Sequence, residues 1–161
     1  MAPLYRHRAL SRIGPWPAKR QLEDWEYDAQ AGALGLRLHY DDVYVAETRN
    51  HGEARLAHRW KTDDNALRDM AIAYLAVGTH AQRAGVEPSA PEMQRFARSL
   101  FWMARRVGAR GLSVEARQLL DLARTLTTSG RWRLRLFDLA VSVAGWRGTS
   151  EWAERLMAMA R

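Results

Sequence analysis

SAPEMQRFARSLFWMARRVGAR, residues 89–110, is the stretch whose spacing decides the fold. Met93, Phe96, Ala97, Leu100, Ala104 and Val107 recur three and four residues apart, which places them on one face of an α-helix. Ser89 stands where an N-cap belongs, and Pro91 and Glu92 suit a first helical turn. Gly108 and Gly111 are placed to close the helix.

The same period extends in both directions. Upstream, Leu67, Met70, Ala71, Tyr74 and Leu75 form one helical face that Gly78 or Gly85 can end. Downstream, Ser113 precedes a helix with Ala116, Leu119, Leu120, Ala123 and Leu126 on its apolar side, and Gly130 marks its end. A fourth helix is expected from Trp132 to Ala144 with Leu136, Leu139, Ala140 and Val143 inward, and a fifth from Ser150 with Trp152, Leu156 and Met159. Short connectors between them predict antiparallel neighbours. No small-large consensus returns at a fixed period, so a bundle is expected and a repeat solenoid is not.

Composition bounds what these helices can belong to. A chain of 161 residues that is 47% hydrophobic can bury one modest core. It has no cysteine, which removes disulfides, thiolate nucleophiles and cysteine-based zinc sites. No apolar run is long enough to span a bilayer, and Arg6, His7 and Arg8 interrupt the start where a signal peptide would be apolar, so a cytoplasmic protein is expected. The net charge of +7 is spread along every segment with Asp and Glu interspersed, and lysine occurs only at Lys19 and Lys61. That distribution lacks the basic stripe of a nucleic-acid binder, and no nucleic acid is expected as partner. An arginine-rich surface is instead compatible with anionic lipid headgroups, hence with a position peripheral to an inner membrane, or with a pyrophosphate-bearing acceptor.

The first sixty residues read differently. Leu4-Tyr5-Arg6-His7-Arg8-Ala9-Leu10 is followed by Ile13-Gly14-Pro15-Trp16 and then by Glu23-Asp24-Trp25-Glu26-Tyr27-Asp28. A helix is expected from about residue 22 to residue 33, broken by Gly35, with one or two short strands over Leu36 to Ala46 and then Arg49-Asn50-His51. This order resembles the closing segment of the bacterial family 2 glycosyltransferases, whose GT-A domains end on a basic strand, a helix, a Gly-Pro-Trp-like turn and a Glu-Asp-aromatic helix start. The resemblance spans residues 4 to 51. It implies a mainly α chain: a small α/β remnant of a GT-A domain over residues 1–58, followed by a helical bundle of about five helices over residues 62–161.

The resemblance also implies roles. Asp24 is the catalytic base that takes the proton from an acceptor hydroxyl, since a carboxylate at a helix start can be held within hydrogen-bond reach of it. Glu23 and Trp25 bind the acceptor, Arg49 neutralises donor diphosphate and His51 completes a divalent-metal site. The partners implied for a full-length form are a nucleotide-sugar donor and a glycan or lipid-linked acceptor, with manganese or magnesium as cofactor. The chain departs from the family in having no Asp-x-Asp motif and no Gly-rich phosphate loop. The isolated chain is therefore expected to need no cofactor, to be inactive, and to expose an apolar edge around Leu36 to Val45 that promotes self-association. From the residues alone, Glu23 and Asp24 also suit the positive end of a helix, worth about 0.3–1 kcal/mol. The alternative is a helical protein-interaction module without catalysis, in which Asp24 serves only that end.

Overall fold

The computed structural model describes residues 4–19, 21–37, 39 and 60–159, with side chains as far as residue 153. Six helices occur among them: α1 (His7–Ile13), α2 (Glu23–Ala33), α3 (Asp64–Arg83), α4 (Pro91–Ala109), α5 (Ser113–Leu126) and α6 (Arg131–Met159). The protein is thus mainly helical, and no strand occurs among the described residues. The strand segment expected over Leu36 to Ala46 lies outside them except at Leu36, Arg37 and His39, none of which is in a strand. Leu36 has other work. Its N–H donates to Ala31 O, that of Gly35 to Gly32 O, and Gly35 adopts φ +68, so these residues close α2 as a Schellman motif. The same pair of bonds ends α3 at Gly85 and α4 at Gly111.

The core sits where α4 and α5 pack lengthwise. Leu100, Ala104 and Val107 of α4 and Ala116, Leu119, Leu120 and Ala123 of α5 are fully buried, on the stripes expected from spacing, and Met103, which the spacing does not single out, is buried with them. Ala66, Leu67, Met70 and Ala71 close one side from α3, and Leu134, Phe137 and Val141 close another from α6. Gly78 does not end α3. It lies buried inside the helix, where a Cβ would stand 2.6 Å from Leu122 Cδ2, so its missing side chain lets α5 approach.

Helix starts differ from expectation in two places. Ser89 and Ser113 do not cap: the N-cap residues of α4 and α5 are Ala90 and Leu112, with no side-chain bond at either. Asp63 does cap, its carboxylate accepting from the N–H groups of Asn65 and Ala66 at 2.9 and 3.4 Å. Arg110 at the far end of α4 pairs with Asp64 at 2.6 Å and donates to Lys61 O at 3.0 Å, tying the start of α3 to the bundle. Beside it, the Arg106 guanidinium lies over the rings of both Trp60 and Trp102, 4.5 and 4.4 Å from their centroids.

The fourth helix faces the other way from the reading above. Leu136, Leu139 and Val143 are exposed, and Leu134, Phe137 and Val141 are the buried set. Two contacts set this rotation: Phe137 meets Phe101 edge-on at 5.1 Å, and Asp138 is held by Arg117 and by Arg124, the latter at 2.8 Å. The fourth and fifth helices follow one another without a loop as the two halves of α6, and the break between them is Gly145, non-helical at φ 73, ψ 169.

Candidate functional site

Residues 4–36 form a unit around Tyr27. Its ring, 2% exposed, packs with Ile13 and Ala31; Trp16 stacks on it at 4.4 Å and Tyr5 meets it edge-on at 5.3 Å. The Tyr27 hydroxyl donates to Gly14 O at 3.2 Å, Gln30 Nε2 to Ile13 O at 2.9 Å and Arg12 to Leu34 O at 2.9 Å. Each bond ties α2 to α1 or to the turn after it. Because Gly14 sits at φ +94, the chain can reverse there and bring Trp16 back over Tyr27.

Within this unit α2 starts with Glu23, Asp24 and Glu26 in its first turn, where the unpaired N–H groups favour negative charge. Asp24 is exposed, and its Oδ1 accepts from Trp25 N–H at 2.8 Å. That contact is the helix-end role of the non-catalytic alternative. Among the described residues no ion pair engages this carboxylate. Glu26 instead pairs with Lys19, closing the loop between α1 and α2.

Three-four spacing puts Asp24, Tyr27 and Asp28 on one side of α2, toward α1, and Trp25 on another. Asp28 accepts from the Tyr5 hydroxyl. Burial pushes the Tyr5 phenol well above its ordinary value of 10, and the bond and charge of Asp28 add to this, with smaller contributions from Tyr27 and Asp24.

Trp25 points into the bundle. Its ring meets Tyr74 of α3 at 4.9 Å and Phe96 of α4 at 5.9 Å, both near perpendicular, and it is half-buried. Trp16 stacks on Tyr27 yet is 50% exposed, so part of its ring is open to solvent. The sequence signal for this is the three-residue step from Asp24 to Tyr27, which turns Asp24 toward whatever Tyr27 holds.

Glu23 is half-buried beside Asp24 at the start of α2. Arg49 and His51 lie outside the described residues. Among the described residues no group of three or more His, Asp or Glu side chains is placed to hold a metal ion, and His51, the expected ligand, lies outside them. No helix among them is long and apolar enough to cross a membrane. No family model matches the chain, and neither the curated proteins nor the solved structures contain a significant match.

Proposed function

We propose that the chain is the acceptor-side end of a family 2 glycosyltransferase, with Asp24 as the base that deprotonates the attacking hydroxyl. The observation that carries the reading is the rigid mounting of the Gly14-Pro15-Trp16 turn on the Asp24-bearing helix through Tyr27 and Gln30. It joins two pieces of the sequence resemblance, the Gly14-Pro15-Trp16 turn and the Glu23-Asp24 helix start, into one unit with an exposed carboxylate.

In this reading Asp24 accepts the proton as the acceptor oxygen attacks the anomeric carbon, and Glu23 bonds a neighbouring acceptor hydroxyl. Trp25, wedged against Tyr74 and Phe96, positions the helix start on the acceptor side, and the open face of Trp16 offers the apolar surface on which a sugar ring stacks. Arg49 and His51 are assigned to donor diphosphate and metal by resemblance alone. A non-catalytic helical module remains the second reading, favoured by the Asp24 bond to Trp25 N–H.

The test supplies a sugar-nucleotide half, joined upstream or added as a separate chain, and measures transfer. Asp24→Asn should leave donor binding intact and lower the rate by about two to four orders of magnitude. Trp16→Ala should raise the acceptor KM with little change in kcat. An unchanged rate for Asp24→Asn removes the base assignment and favours the second reading.

A further inference from the structure

The outward side of α6 carries an apolar ridge that no other described element covers. Trp132, Leu136, Leu139 and Val143 are 59%, 57%, 63% and 84% exposed. They follow one another at steps of four, three and four residues, so at about 100° per residue they form one line along the helix. The line lies opposite Leu134, Phe137 and Val141, which hold α6 to the bundle. Single exposed apolar residues are ordinary, but four in a line over three turns are a surface that seeks a partner.

The exposed charges that the first half of α6 itself carries beside the ridge have one sign. Arg133 lies on one flank and Arg131 and Arg135 on the other, all exposed. The one carboxylate between Arg131 and Ser150 is Asp138, and it is occupied by Arg117 and Arg124. On the flank of Arg131 and Arg135 the surface opens into a depression of about 560 Å³, lined also by Asp121, Arg124 and Thr125; Arg124 pairs there with Asp138 and Asp121, which leaves Arg131 and Arg135 as its cations without a carboxylate among the described residues. A second copy of the chain would bring the same arginines to the contact, and two chains each of net charge +7 repel. An apolar ridge with cations on both sides matches instead the boundary between acyl chains and phosphates.

We infer that the first half of α6 docks on an anionic lipid surface, with Trp132, Leu136, Leu139 and Val143 in the acyl boundary and Arg131, Arg133 and Arg135 on headgroup phosphates. The helix lies flat, because its opposite side is fixed to α4 and α5 by Phe137 and Asp138. The Arg133 guanidinium, 5.3 Å from the Trp132 ring centroid, sets a cation at the depth where an indole rests in a bilayer interface. This inference stands independently of sugar transfer.

The experiment is co-sedimentation of the full chain with vesicles of phosphatidylcholine alone and of phosphatidylcholine mixed equally with phosphatidylglycerol. Binding is expected to the mixed vesicles and not to the neutral ones. Arg133→Gln with Arg135→Gln should weaken it about thirtyfold, since each cation near such a surface contributes about a factor of five. Leu136→Ser with Leu139→Ser should weaken it at least about tenfold, and both positions are exposed enough that circular dichroism and the urea midpoint should not change. Absence of binding to the mixed vesicles overturns the inference. So does binding that the leucine pair does not alter, which is attraction by net charge alone. Self-association in lipid-free solution that the leucine pair abolishes overturns it too, by assigning the ridge to a second copy.

Discussion

At Gly108 a single missing methyl sets how two helices meet. A Cβ at this buried position of α4 would stand 2.7 Å from Trp146 Cε3 and 2.9 Å from Ser150 Oγ, so the second half of α6 lies against bare backbone. Gly78 is similar in kind, yet the atom it would strike is the end of the Leu122 side chain, which can turn aside. An indole cannot. Gly108→Ala should therefore lose about 1–3 kcal/mol in urea unfolding despite alanine's gain of about 1 kcal/mol in helix propensity, and Gly78→Ala should lose less. Equal losses would mean that Trp146 yields as readily as Leu122. In the sequence both glycines read as helix ends, because a glycine inside a helix and one that ends it look alike until the neighbour that needs the space is known.

Among the elements, α4 and α5 were legible and α6 was not, for a physical reason. In α5 Ala116, Leu119, Leu120 and Ala123 are flanked by charged or polar residues, so the period has one solution. In α6 Trp132, Leu136, Leu139 and Val143 are as apolar as Leu134, Phe137 and Val141 on the opposite side, and spacing alone does not choose between them. The choice is made by Asp138, which the arginines of α5 draw inward and with it the side that faces the core. Gly145 then breaks the helix so that Trp146 can turn back onto Gly108 and beneath Arg117, 5.2 Å from its ring centroid. Its φ 73 with ψ 169 belongs to a region that residues with a Cβ avoid. Gly145→Ala should cost about 1–3 kcal/mol in urea unfolding and weaken the near-ultraviolet dichroism of the packed indoles. A variant as stable as the parent would show that a continuous helix serves equally well.

For the whole molecule the question is how the unit around Tyr27 is held to the bundle, since the two have separate hydrophobic clusters. The start of α2 was legible as a place for acids, because Glu-Asp before a helical run suits its unpaired N–H groups. Which indole faced outward was not, because Trp16 and Trp25 suit packing or a ligand equally until α2 is set against α3. That seam is made by Trp25 on Tyr74 and Phe96, and on the same helix α3 His80 is close enough to feel the charges of Glu26 of α2, Lys19 of the preceding loop and Arg83 of its own helix. Burial lowers the His80 pKa from its ordinary 6.5; Glu26 opposes the shift, and Arg83 and Lys19 reinforce it. The sign of the consequence follows by linkage. With the folded pKa below the unfolded one, the unfolded chain takes up the proton first as pH falls. The contribution to stability is whole above about pH 6.5, drains away as pH falls toward the folded pKa, and is absent once both states are protonated. Carboxylates do not yet titrate appreciably near pH 5.5, so the urea midpoint should fall between about pH 7.5 and about pH 5.5 through this imidazole. His80→Gln, which cannot take up the proton, should flatten most of that fall while leaving the midpoint near pH 7.5 close to the parent's. If the parent shows no fall, or the variant falls as far as the parent, His80 does not couple the seam to pH and the aromatic contacts of Trp25 hold it without electrostatic help.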